Sequence, residues 1–323
     1  MRVLMFATGP FALPTLEALY AAGFQVAALV TQPQRPGVAA SGGPALRALA
    51  ARQGTPIEEP WQVNAPEVYR TLAAYRPDVL VVADYGQILG PELLAMAPLG
   101  GVNLHGSLLP RYRGAAPINW AIYHGEEQTG VTVIHMTPAI DAGPILAQAA
   151  TAIGPDETAP QLEARLAQLG APLVVETLRQ LERGEVHARP QDPALATPAR
   201  RLRKADGQVD WSRPARAIYN QVRALEPWPR TYTWWHRPGG RPLRLILTAV
   251  RPVEGKLPVV PPGTVVQAGP DGLSISTGGG TLCLHAVQPE GKRVLEVSDF
   301  LRGYPVRVGE RFGPEAPALP PHS

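Results

Sequence analysis

Two polar side chains interrupt the apolar run Gly101–Gly114 (GVNLHGSLLPRYRG), where Asn103 and His105 alternate with Val102 and Leu104. An amide donates hydrogen bonds, and an imidazole exchanges protons near neutral pH. Residues two apart in a strand share a face. Asn103 and His105 therefore stand together, while Val102 and Leu104 turn to a core. Parallel α/β sheets bind ligands beyond the carboxyl ends of their strands, and this run breaks at His105 into Ser-Leu-Leu-Pro. The pair is thus a candidate site. Its alternative is structural: Asn103 opens a turn and His105 is a hydrogen-bonded core histidine. Asp141, in Ile140-Asp141-Ala142-Gly143, reads by itself as a turn former.

The elements needed to hold such a pair are legible on both sides of it. Arg2–Ala7 reads as a buried strand, Pro14–Ala22 as a helix and Phe24–Val30 as a second strand, which opens a doubly wound α/β sheet. The single glycine of Thr8-Gly9-Pro10 does not make a dinucleotide fingerprint. Gln32–Pro44 is a Gly/Pro-rich loop. Asp78–Ala83 (DVLVVA) is a fully buried parallel strand, Pro117–Tyr123 a helix and Gly130–Met136 a further strand. Leucines at helical spacing from Leu162 to Leu181 form a core stripe. Prolines then recur, and Arg200, Arg201, Arg203 and Lys204 cluster.

This divides the chain into a Rossmann-like domain (1–198), a basic linker (199–211), a C-terminal domain (212–312) and a Pro-rich tail (313–323). In the C-terminal part Ser212 is positioned to cap a helix running to about Leu225. About five short strands between Thr231 and Val287 predict a small β-barrel of the oligonucleotide-binding (OB-like) kind. Gly278-Gly279-Gly280 is a hairpin turn between two of them.

Composition narrows the chemistry further. A lone Cys283 rules out an intramolecular disulfide or a cysteine-built metal centre and suits a reducing cytoplasm. Met1–Ala7 reads as a first strand and not as a signal peptide, and no apolar run reaches the ~18 residues of a membrane span. The net charge of +3 hides an asymmetry: residues 1–198 carry −5 and residues 199–323 carry +8. A basic C-terminal third is either a module that meets nucleic acid or an Arg-rich solubilising surface.

Asn103-x-His105-x-Ser107-Leu108-Leu109-Pro110-x-x-Arg113-Gly114, followed by Ala116-Pro117-Ile118, Thr129-Gly130-Val131-Thr132 and Asp141-x-Gly143, resembles the signature of folate-dependent formyltransferases. Pro227-Trp228-Pro229, Pro262-Gly263-Thr264, Asp271-Gly272-Leu273, Gln288–Lys292 and Asp299–Gly303 resemble the branch that formylates methionine carried by initiator tRNA. The resemblance runs from residue 1 to about residue 312.

It implies a Rossmann-like formyl-transfer domain with a C-terminal barrel, 10-formyltetrahydrofolate as donor and initiator methionyl-tRNA as acceptor. No metal and no covalent enzyme intermediate is implied, and the enzyme is expected to be a cytoplasmic monomer with no membrane partner. It carries the catalytic roles onto Asn103, as donor to a developing oxyanion, and onto His105 and Asp141, as proton carrier and its orienter. Ser107, Leu108, Leu109 and Pro110 would line the folate pocket, with backbone around Tyr85 and Gly86 meeting the pterin. Arg111 and Arg113 are left between a folate-tail contact and a structural role.

Arg35, Arg200, Arg201, Arg203 and Lys204 would meet tRNA. The chain departs from the family in Ala7-Thr8-Gly9-Pro10, in Asp84 before Tyr85, and in the uncharged loop Val38–Gly43. The competing readings are a formyltransferase for an amino-sugar nucleotide, a hydrolase releasing formate from the same folate, and a non-enzymatic RNA-binding adaptor.

Overall fold

The computed structural model describes residues 1–34, 43–253, 259–269 and 272–315. By its internal contacts the chain forms two units. The first comprises 1–121, 127–155 and 160–201, and the second 122–126, 156–159 and 202–323.

The first unit opens with β1 (Arg2–Ala7), α1 (Leu13–Ala21), β2 (Gln25–Val30), α2 (Gly43–Arg52) and β3 (Ile57–Glu58). It continues with α3 (Pro66–Ala74), β4 (Val79–Ala83), α4 (Pro91–Ala95) and β5 (Gly101–His105). Then come α5 (Pro117–His124), which extends past residue 121, β6 (Gln128–His135), β7 (Ile145–Ala152) and α6 (Ala159–Arg183). Prolines start α1, α3 and α4, where the first turn has no use for the missing N–H.

The seven strands form one sheet in the order β3-β2-β1-β4-β5-β6-β7. The pairs from β3 to β5 are parallel, as expected for a Rossmann-like sheet, and β4 is buried along its whole length. The last two strands depart from that pattern. β6 and β7 run antiparallel, to β5 and to each other respectively. β7 was not anticipated: its sequence ILAQAATA is half-exposed and rich in alanine, a weak strand former.

α6 lies over one face, with Leu162, Leu166 and Leu178 wholly buried and Gly170 against Leu104. On β5, Val102 and Leu104 are buried, as alternation requires.

The second unit contains α7 (Ala215–Ala224), β8 (Thr231–His236), β9 (Leu243–Val253), β10 (Val265–Gly269), β11 (Gly272–Ser276) and β12 (Thr281–Pro289). β13 (Leu295–Glu296), α8 (Val297–Gly303) and β14 (Arg311–Gly313) complete it. The antiparallel path is β10-β11-β12-β9-β8-β14, with β13 beside β12. The sheet curls until its ends meet: Thr264 bridges Arg311, Val265 N–H donates to Glu310 O (2.9 Å), and Phe312 N–H donates to Gly263 O (2.7 Å). Trp211, Trp235, Phe300 and Phe312 fill the interior with the strand leucines, and joined ends leave fewer unpaired strand groups.

Three expectations need adjusting here. Ser212 does not cap α7, because its hydroxyl donates to Asp210 (2.6 Å) and the helix begins after Pro214. Within the basic stretch 199–211, Val209 and Trp211 are core residues of the second unit. Gly313, read as the start of the tail, is the last residue of β14.

Candidate functional site

β5 presents Asn103 and His105 on the face opposite Leu104. His105 is buried, 6% exposed, and Asn103 is half-buried. His105 donates Nε2–H to the Tyr112 carbonyl (2.8 Å). Because a carbonyl only accepts, Nε2 carries the hydrogen of this bond, and in a neutral ring the lone pair then sits on Nδ1.

Nδ1 lies 3.7 Å from Asp141 Oδ2. The same Oδ2 accepts the Gly114 N–H (2.8 Å), and Oδ1 accepts a long bond from the Asn103 amide (3.4 Å). The three polar side chains thus converge.

The meeting is not obvious from the topology. β6 is antiparallel to β5 and its last residue, His135, pairs with Val102. The connection 136–144 therefore starts level with the beginning of β5. It must fold back along the Asn103 face to bring Asp141 to His105. A tight backbone permits this. Asp141 has φ +50°, and Gly143 passes so close to β6 that an added Cβ would overlap the His135 carbonyl oxygen.

The segment after β5 is pinned with equal care. Ser107 is fully buried and donates to Arg111 O (2.7 Å). Thr132 Oγ1 donates to Ser107 O (2.6 Å) and accepts the Leu109 N–H (3.1 Å), while Gln148 donates to Leu109 O (2.8 Å). Leu109 packs with Ile134 and Ile145. Leu108 and Pro110 are left half-buried.

Beyond β4, Gly86 is exposed with φ +84°. Tyr85 is buried, its carbonyl accepts from Thr8 Oγ1 (3.0 Å) and Gln32 Nε2 (2.8 Å), and its hydroxyl has no partner among the described residues. Burial raises that phenol's pKa well above the ordinary value.

Asp84 sits at the same end of β4 with φ +46°. Solvent reaches it, yet enough protein crowds its carboxylate that burial raises its pKa. Glu163, in the second turn of α6, is pushed up to about 7 by burial and then by the charge of Asp84. The Asp84 carboxylate fills the space that a side chain at Gly9 would take. Two of the positions at which the sequence departs from the family pattern thus share one volume.

Among the basic residues, Arg35 lies outside the described residues, as does most of Val38–Gly43. Arg200 is exposed, stacks 4.7 Å from the Trp120 ring centroid, and its carbonyl accepts the indole N–H (2.7 Å). Arg201 is exposed and closes the first unit. Arg203 and Lys204 are exposed in the second, at a short 3-10 turn where Asp206 accepts the Arg203 N–H (2.7 Å). The described residues contain no group of three or more metal-ligating side chains and no helix long and apolar enough to cross a membrane.

Sequence reasoning did not find the Tyr112 carbonyl, the Gly114 N–H, Thr132, Gln148 or Gln191. The first two are backbone groups, which no residue type announces. Thr132 lay inside the quoted TGVT run, whereas Gln148 and Gln191 sit in stretches without a pattern.

Comparison with known proteins shows the family. A formyl transferase family profile matches residues 1–178, and its C-terminal domain profile matches 201–305. A methionyl-tRNA formyltransferase of Geotalea daltonii is 40% identical over 315 residues, covering 97% of this chain and 98% of the relative. One from Roseiflexus sp. is 43% identical over 317 residues, covering 97% and 95%. Among solved structures, WlaRD, a sugar 3N-formyl transferase, has a TM-score of 0.63 at 16% identity and covers 91% of this chain and 99% of its own. HypX from Aquifex aeolicus has a TM-score of 0.63 at 18% identity, covering 96% of this chain and 48% of its own. At such identities the two solved structures speak to the fold alone.

Proposed function

The chain belongs to the formyl transferase family, and from that premise we propose that it transfers the formyl group of 10-formyltetrahydrofolate to the α-amine of methionine on initiator methionyl-tRNA. Convergence of Asn103, His105 and Asp141 on one face of β5 carries this reading. Near-complete matches to methionyl-tRNA formyltransferases at about 40% identity select the acceptor.

The residues present suit the folate. Gly86 is exposed at φ +84°, so its backbone, bare of a side chain, is open to a flat ring. Half-buried Leu108 and Pro110 offer apolar surface to a planar ring system. When bound, the folate supplies an N-formyl carbon open to attack by an amine.

An α-amine has an ordinary pKa of ~8, so at neutral pH much of it must shed a proton to attack. His105 Nδ1, its lone pair free, accepts that proton and returns it to the departing nitrogen. Asp141 Oδ2, 3.7 Å away, stabilises the imidazolium formed in between. Asn103 has a second amide hydrogen to offer the formyl oxygen as negative charge gathers there. Nothing is consumed by the enzyme, and the products are N-formylmethionyl-tRNA and tetrahydrofolate.

Arg35 contacts tRNA phosphates, as do Arg200, Arg201, Arg203 and Lys204 in the basic stretch 199–211. Neutralising the four linker charges should raise the KM for tRNA and flatten its salt dependence, since each phosphate contact contributes a slope of about −0.9 or less. The deciding experiment offers purified protein and 10-formyltetrahydrofolate to charged initiator tRNA, to an amino-sugar nucleotide, and to neither. Formyl-methionyl-tRNA is the expected product. Transfer only to the sugar, or formate release without acceptor, would replace this reading.

A further inference from the structure

We propose that Gln191 is a positioning residue for formyl transfer: with Arg113 it holds the backbone turn from which Asp141 reaches His105, and so governs the rate without touching either substrate. This rests on the reading above of Asp141 and His105 as parts of the transfer site.

Asp141 needs holding. A non-glycine residue at φ +50° is strained and persists only where its surroundings over-determine it. The Gln191 side-chain amide grips that turn at two points, donating one hydrogen to Asp141 O (2.8 Å) and the other to Gly143 O (2.7 Å). Its Oε1 accepts from both Nε (3.0 Å) and Nη2 (2.7 Å) of Arg113. The orientation is fixed by chemistry. Turned over, the amide would set its oxygen against two carbonyls and its NH2 against a guanidinium. The guanidinium charge polarises the amide and strengthens both donations to the turn.

The arrangement closes on itself. Three consecutive residues each address a different part of the site. Tyr112 O accepts from His105, the Arg113 side chain holds Gln191, and Gly114 N–H holds the Asp141 carboxylate. The backbone around Gln191 is tied to the same segment, with Arg113 N–H donating to Thr197 O (2.8 Å) and Ala199 N–H donating to Arg113 O (2.6 Å). It is tied to β7 as well, through a reciprocal pair between Arg189 and Ile145 (both 2.8 Å). Gln191 is thus where the carrier of Asp141 and the segment after His105 are joined. The imidazole and carboxylate stand 3.7 Å apart, without a direct hydrogen bond of their own. Their spacing depends on such supports.

Glutamine is the side chain this position requires. Methionine matches its length and offers no hydrogen bonds. Glutamate keeps the acceptor for Arg113 but loses both donors to the turn. Comparing Gln191→Met with Gln191→Glu therefore separates anchoring to Arg113 from restraint of Asp141.

In steady-state transfer to charged initiator tRNA, Gln191→Met is expected to lower kcat about 30-fold, with the KM of either substrate moving less than about threefold. Gln191→Glu should be at least as defective, despite keeping the Arg113 pairing. The proposal is overturned by a Gln191→Met kcat within twofold of wild type, by a loss carried wholly in KM, or by near-wild-type turnover in Gln191→Glu. If Gln191→Met does not fold, Gln191→Glu alone decides, with its melting temperature and both KM values as the control. A wild-type protein that forms no formyl-methionyl-tRNA defeats the functional reading instead, and the two failures are told apart by that first assay.

Discussion

Two groups of acidic side chains flank the middle of the first unit's sheet, and they are treated in opposite ways. Asp141 is surrounded by donors: the Gly114 N–H, the Asn103 amide and, through its backbone, Gln191. The carboxylates of Asp84 and Glu163 accept no hydrogen bond among the described residues, and burial pushes both upward, Glu163 to about 7. Donors aim a carboxylate, whereas burial without donors disfavours its charged form. Asp141 is therefore aimed by its donors, whereas the carboxylates of Asp84 and Glu163 are crowded without any.

The largest effect should come from breaking the oriented side. Asp141→Asn keeps the size and removes the charge beside His105, and transfer to charged initiator tRNA should fall by roughly 10²–10³. An activity within fivefold of wild type would remove Asp141 from the mechanism.

Gly143→Ala attacks the same carboxylate through its backbone. The new Cβ meets the His135 carbonyl, so the turn must shift, and at least a tenfold loss of kcat together with a lower Tm is expected. Wild-type values for both would mean that the turn can yield without cost.

On the other side, Gly9→Ala should displace the Asp84 carboxylate and destabilise by about 1 kcal/mol. Adding Asp84→Ala should relieve that cost, giving a coupling of about 0.5–1 kcal/mol in denaturant titrations. Strictly additive effects would show that the two do not share the space.

The smallest effect concerns pH. The folded-state pKa of Glu163 lies above the ordinary 4.5, so the folded protein holds a proton that the unfolded chain releases. This contribution is intact below about 4.5 and is lost as the pH rises through about 7. Glu163→Gln removes the loss. Its Tm should match wild type at pH 4.5 and exceed it by a few degrees at pH 8, and parallel Tm curves across that range would refute the assignment.

How much of this could be read beforehand differs between backbone and side chains. Val79–Ala83 and Gly101–His105 declared themselves, because strands buried on both faces must be runs of apolar residues and a polar pair among them stands out. The hairpin over Gly278–Gly280 and the strands beside it were legible from turn chemistry.

Ile145–Ala152 was not, since a half-exposed edge strand of alanines lacks both run and alternation. Asp141 was named only through the family signature. Its residue type suited a turn, and the fold-back that brings it to His105 depends on an antiparallel register that spacing along the chain does not reveal. Gln191 was invisible for a related reason: its partners are two carbonyls and a guanidinium from distant segments.

The exchange between Gly9 and Asp84 limits how this protein can be recombined with its relatives. A carboxylate at 84 and a side chain at 9 compete for one volume, so neither loop is portable alone. A chimera that imports a bulkier residue after β1 inherits a clash unless position 84 shrinks with it. In an alignment of close relatives, bulk at these two positions should be mutually exclusive, although 75 residues separate them along the chain.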